Sequence, residues 1–226
     1  MNRVLRVSFV IAIVSLALIY ALGWMPAHGA TALPDPKVDE SPAASKGRET
    51  VVLAGGCFWG IQDVFEHVKG VTKATAGYSG GTVPNPSYEL VSSGTTGHAE
   101  SVQVVFDPSR ITFGQLLKIF LSVAHDPTEL DRQGPDFGTQ YRSAIFYETP
   151  DQQRIAQAYV EQLTAAKIFS SPIVTQIVPF KAFYRAEDYH QDYAIHNPDN
   201  PYIAINDLPK VGNLKKVFPE LYVNYP

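Results

Sequence analysis

Apolar positions along this 226-residue chain fall into three regimes. From Val7 to Met25 the chain is apolar on every side and carries no charge. From Thr31 to Gly47 the stretch TALPDPKVDESPAASKG is polar and rich in Pro, Ala and Ser. It holds too little apolar surface to fold alone, so 31–48 reads as a linker. From Glu49 onward, short apolar runs alternate with helical stripes, which predicts one folded domain over 49–226.

Within that domain, TVVLA (50–54) predicts a strand that runs into Gly55-Gly56. Phe58, Ile61, Val64, Phe65 and Val68 recur at helical spacing, so a helix is expected over 57–68, with Gly70 stopping it. VTKATAGYS (71–79) reads as a strand, and a long loop punctuated by Gly and Pro follows. ESVQVVFD (100–107) is a strand ended by Pro108. The stripe Phe113, Leu116, Leu117, Phe120 and Leu121 predicts a second helix over 112–124. RSAIFYE (142–148) is a strand. Thr149, Pro150 and Gln152 then have the order of an N-cap, a first-turn proline and a capping-box partner, opening a helix to about Lys167. IVTQIVPF (173–180) is a further strand, and the tail from Asn197 reads as proline-rich and irregular. This order predicts an α+β domain with helices packed on one sheet and no internal repeat.

Charge narrows the function. The formal net charge is −4, and no basic run lies beyond the amino terminus, so nucleic-acid binding has no electrostatic support. At the amino terminus Arg3 and Arg6 precede the apolar run, and Ala27, Gly29, Ala30 and Ala32 follow it. That is the layout of a signal peptide over 1–30. The run is also long enough to span a bilayer, so an uncleaved amino-terminal anchor is the alternative. In either case the basic end stays inside, and the domain is expected to be exported, to the periplasm or another extracytoplasmic space.

Cys57, in AGGCFWGIQ, is the single cysteine, so no intramolecular disulfide can form. A thiol delivered through two glycines to a helix N-terminus is expected to have a lowered pKa. A packed core cysteine fits those neighbours equally well. Trp59 lies off the apolar stripe of its helix, which suits a pocket wall. Glu100 shares a strand face with Val102, Val104 and Phe106. A carboxyl on so apolar a face would stay protonated and could act as a general acid. The bare pattern fits a strand-edge charge facing water better. QGPDFGTQYRS (133–143) is a polar loop feeding a strand, and a capped turn with an ion pair explains it as readily as a site does.

Taken together, GCFWG, GHAE, HDPT, QGPDFGTQYRS and FYRAEDYHQDY resemble the A-type peptide methionine sulfoxide reductases, from about Glu49 to about Pro198. The resemblance implies a ferredoxin-like two-layer α+β sandwich with family-specific extensions. It implies Cys57 as the nucleophile on the sulfoxide sulfur and Glu100 as proton donor to the oxygen. Tyr88 and Tyr141 would hydrogen-bond that oxygen, and Asp136 would fix a polar contact near the substrate. Phe58 and Trp59 would hold the methyl group, with His190 behind them. The implied substrates are the S epimer of methionine sulfoxide, free or in oxidised proteins and peptides. No bound cofactor is implied, and one cysteine among scattered histidines lacks metal-ligand spacing.

One departure has a chemical consequence. Many relatives carry one or two further cysteines near the carboxy terminus, and this chain has none. A Cys57 sulfenic acid would therefore need an external thiol reductant, a thioredoxin-like protein or a small dithiol. Rival readings are a cysteine hydrolase with a base among His67, His98, His125, His190 and His196, a thiol peroxidase, and a non-catalytic module that binds oxidised peptides.

Overall fold

The computed structural model describes residues 32–40 and 47–224, so the expected leader over 1–30 lies outside the described residues. None of the described helices is long and apolar enough to cross a membrane. The domain begins with β1 (Glu49–Gly55), α1 (Phe58–Glu66), β2 (Val71–Ser79), α2 (Tyr88–Ser92), β3 (Ala99–Phe106) and α3 (Phe113–Ile119). A two-strand hairpin of β4 (Arg132–Gln133) and β5 (Asp136–Phe137) follows, then β6 (Ser143–Tyr147), α4 (Pro150–Ala165), β7 (Gln176–Pro179) and β8 (Phe183–Arg185). Three helices close the chain: α5 (Tyr193–His196), α6 (Pro201–Asn206) and α7 (Leu208–Val217).

Six strands form one sheet in the order β7-β6-β1-β3-β2-β8. Its four central strands, β6-β1-β3-β2, are antiparallel to their neighbours, the strand order of a ferredoxin-like sandwich. At the edges β7 adds in parallel to β6, and β8 adds antiparallel to β2. Side chains alternate across the sheet. On one face Leu53, Val102 and Val104 join Ile61 and Phe65 of α1, Leu116 and Leu117 of α3, and Tyr159 and Leu163 of α4 in the main core. On the other, Val52, Ala54, Ala144 and Phe146 form a smaller cluster covered by Val178, Phe180 and Phe183. The register pairs Leu53 with Val102 and Tyr78 with Glu100, so the start of β3 and the end of β1 lie at one end of the sheet.

Two expectations change. The tail from Asn197 is helical rather than irregular. Asn200 caps α6 by accepting from the Tyr202 amide at 2.9 Å, and Pro201 and Pro209 occupy first-turn positions, where a missing N–H costs nothing. Part of the presumed linker is docked: residues 32–40 form a strap along α3 and α4. Leu33 enters the main core, Tyr159 donates to the Pro34 carbonyl at 2.9 Å, and Gln162 bonds both Lys37 N and Asp35 O. Asp39 and Glu40 accept from the Gly114 and Phe113 amides at the start of α3, where carboxylates complement unpaired N–H groups. Beyond Leu33, the strap is held mainly by its polar groups, which an apolar count does not reveal.

Candidate active site

Cys57 is the N-cap of α1, reached from β1 through Gly55-Gly56. Gly56 has φ +97, and a Cβ there would lie 2.5 Å from Gln133 Cβ, so only glycine makes this turn against the β4–β5 hairpin. Cys57 is 7 % exposed. Its pKa is raised well above the ordinary value, which corrects the lowered pKa expected from the helix N-terminus. Burial is the main cause, followed by the charges of Glu100 and Asp207; the Trp59 amide pulls the other way and is outweighed. At rest Cys57 is a thiol.

Glu100 lies at the start of β3, 2 % exposed, and its Oε2 accepts from the Phe58 amide at 3.1 Å. Burial pushes its pKa to about 8, against the partial opposition of that hydrogen bond. It is therefore an acid at neutral pH, buried beside the α1 N-terminus rather than facing water.

Two tyrosines stand near this pair, and each has its pKa raised, first by burial and next by the Glu100 charge. Both hydroxyls keep their protons and remain donors. Tyr88 opens α2, and Glu187 fixes it: one carboxylate oxygen accepts from the Tyr88 amide at 2.9 Å, the other from the Tyr78 hydroxyl at 2.8 Å. Tyr141 closes a 3-10 turn, Thr139–Tyr141, just before β6. Arg142 ties that turn to GHAE by donating to the carbonyls of Thr139 and Gly97 at 2.8 and 3.0 Å.

Phe58 and Trp59, the residues expected to hold the methyl group, open α1 beside Cys57. Phe58 is buried, 5.9 Å from the Tyr78 ring and 5.1 Å from His190. Trp59 is half-buried and stacks on Tyr193 with ring centroids 4.0 Å apart. Its indole N–H donates to His190 Nδ1 at 3.1 Å. An indole can only donate, so Nδ1 is the unprotonated nitrogen, and burial lowers the His190 pKa in the same sense. Asp136 accepts a hydrogen bond from the Tyr202 hydroxyl.

All eight expected residues therefore gather around the end of β1. Tyr193, Tyr202, Glu187, Asp207 and Lys210 join them unannounced, three of these from the tail that reads as irregular. The signal was present in Asn200-Pro201 and Asp207-Leu208-Pro209, each a polar residue shortly before a proline, as at a helix start. Asp207 is fully buried and pairs with Lys210 at 3.0 Å. Both pack on Gly60, where a Cβ would overlap Asp207 Oδ1 and lie 2.8 Å from Lys210 Nζ. Gly60→Ala should therefore destabilise the domain by about 1–3 kcal/mol despite alanine's better helix propensity. Chemical denaturation measures this, and an unchanged midpoint would contradict the close approach.

Three of the histidines have identified partners in the fold. His98 accepts from Gly81 N at 3.1 Å and bonds the Val83 carbonyl at 2.8 Å. His125 bonds the Phe120 carbonyl and Ser143 Oγ. His190 holds Trp59. His98 and His125 thus have both ring nitrogens held in hydrogen bonds.

Comparison with known proteins agrees with this geometry. Residues 49–221 match the family model described as peptide methionine sulfoxide reductase. A peptide methionine sulfoxide reductase MsrA 2 from Mesorhizobium japonicum is 58 % identical over 183 residues, covering 81 % of this chain and 94 % of the relative. The protein of the same description from Synechocystis is 50 % identical, covering 82 % and 88 %. The reduced form of Mxr1 from Saccharomyces cerevisiae superposes with a TM-score of 0.61 at 33 % identity, over 74 % of this chain and 94 % of the other. Methionine sulfoxide reductase A of Corynebacterium diphtheriae gives 0.59 at 36 %, covering 77 % and 88 %. With a buried thiol and a buried carboxyl both at the N-terminus of α1, and with this family match and these relatives, the chain belongs to the peptide methionine sulfoxide reductase family.

Proposed function

We propose that this chain reduces the S epimer of methionine sulfoxide, free or in oxidised proteins and peptides, through a sulfenic acid on Cys57. The observation that carries the reading is Glu100, a carboxyl held protonated by burial up to about pH 8 beside the only thiol. Sulfoxide sulfur is a poor electrophile until its oxygen takes a proton. Glu100 supplies that proton while Tyr88 and Tyr141 donate hydrogen bonds to the same oxygen. Cys57 attacks the sulfur and an S–S bond forms; the protonated oxygen then passes to the Cys57 sulfur as the S–O and S–S bonds break, and the sulfide leaves as methionine. The oxygen ends on Cys57 as a sulfenic acid, and the thiol proton replaces the one Glu100 gave. Atoms balance as thiol plus sulfoxide to sulfenic acid plus sulfide.

Phe58 and Trp59 give the methyl group an apolar seat opposite the oxygen contacts. Fixing both substituents selects one hand of the sulfur. Racemic methionine sulfoxide should accordingly be consumed to about half and no further, since each reductase type serves one epimer. Chiral chromatography of the residue would show the R epimer intact, and consumption of both epimers would sink the assignment.

Regeneration falls to an external thiol, a thioredoxin-like protein or a small dithiol, because the chain holds one cysteine. We place the enzyme outside the cytoplasm, on the support of Arg3 and Arg6 ahead of the apolar run to Met25. Mass spectrometry of the purified protein would show whether that leader is removed.

A further inference from the structure

We propose that Lys210, held in place by Asp207, is a positioning residue that supports negative charge on the Cys57 sulfur. The geometry begins at Gly60. Cys57 is the N-cap of α1 and Gly60 is three residues on, the position whose amide an N-cap side chain ordinarily reaches. Lys210 Nζ lies 2.8 Å from where a Gly60 Cβ would be, so bare backbone lets the ammonium close on the first turn of the helix that Cys57 caps. Asp207 Oδ1 pins that ammonium at 3.0 Å, and the Lys210 side chain is 16 % exposed against 0 % for Asp207. A cation fixed there is not a loose surface charge.

The setting gives it a task. Cys57 faces carboxyls from several elements: Glu100 on β3, which it feels directly, and Asp207 ahead of α7. Asp136 on β5 adds its charge through Glu100 and Lys210. The hydroxyls of Tyr88, Tyr141 and Tyr202 also feel the thiol, and all three stay protonated. Among these groups Lys210 is the cation, and its charge favours the Cys57 thiolate where the carboxylates oppose it.

The sulfur bears charge twice in the cycle. It does so first in attacking the sulfoxide. After that, an external thiol condenses with the sulfenic acid, forming a mixed disulfide and releasing water. A second thiolate attacks the outer sulfur, and Cys57 departs with the electron pair as a thiolate. A lower pKa in the leaving thiol speeds that departure.

The inference rests on the proposed thiol chemistry, but its test needs neither sulfoxide nor reductant, so the two can fail separately. The pH-dependence of Cys57 alkylation by iodoacetamide is measured in the full chain carrying Glu100→Gln, which removes that group's titration. Adding Lys210→Met should raise the apparent Cys57 pKa by about one unit and slow alkylation at fixed pH by about tenfold. Lys210→Arg should restore the parent profile. Asp207→Asn, which keeps the cation, should move the pKa down, and Asp207→Asn/Lys210→Met should fall below Lys210→Met alone. Opposite shifts from the two partners are not what loss of a structural clip produces. An unchanged profile in folded Lys210→Met would overturn the proposal. If Lys210→Met does not fold, an unmoved or raised pKa in Asp207→Asn would overturn it equally.

Discussion

Replacing Glu100 with glutamine will leave the fold intact, slow methionine release on the order of 100-fold or more, and make the protein more stable. The slowing follows from removing a positioned proton donor, ordinarily worth 10²–10⁴ in rate. Glutamine still accepts from the Phe58 amide, so the turn after β1 keeps its hydrogen bond. The stability gain comes from proton linkage. Burial raises the Glu100 pKa from 4.5 to about 8, so between those values the folded protein binds a proton that the unfolded chain has lost. Stability therefore falls as pH rises through this window, then stays level above pH 8. At about 1.4 kcal/mol per unit, the cost relieved by glutamine is on the order of 3–5 kcal/mol at pH 8 and fades toward pH 4.5. Denaturant midpoints of both proteins between pH 5 and 8 measure it. A gap that does not widen with pH would mean that Glu100 is ionised in the fold. A variant with near-native turnover would remove it from the chemistry.

Without added thiol, the enzyme should release one methionine per chain and stop. Cys57 takes the oxygen, and no second thiol exists in the chain to condense with the sulfenic acid. A dimedone-type reagent added at the stall should label Cys57 and no other residue. Peroxide present during turnover should inactivate the protein steadily, because an unresolved sulfenic acid is open to further oxidation. Release of two or more methionines per chain, or a stalled protein whose Cys57 is still a free thiol, would exclude the mechanism. Thioredoxin-like protein or a small dithiol should restart the cycle, and their relative rates would identify the better reductant.

The chemistry of this site was more legible in the sequence than its electrostatics. Gly55, Gly56 and Cys57 after an apolar run state a strand, a turn and a helix start, and the glycine conformation bears that out. Trp59, off the apolar stripe, is half-buried and stacks on Tyr193. The alternation around Glu100 showed which face it takes but not whether water reaches that face; the burial comes from α1 lying across the start of β3, a tertiary fact. The sign of the Cys57 shift is hidden from the sequence for the same reason. A helix N-terminus is visible in sequence, whereas desolvation and the charges of Glu100 and Asp207, remote in the chain, are not. The tail was lost to its prolines, which break helices in the interior and begin them at the first turn.

The strap at residues 32–40 makes the segment ahead of β1 a working part of the folded body. With Leu33 seated in the core and Asp39 and Glu40 fastened to α3, a protein cut back to Glu49 would lose an apolar plug and leave the Gly114 and Phe113 amides without their carboxylate partners. The packed structure therefore begins ahead of its first strand.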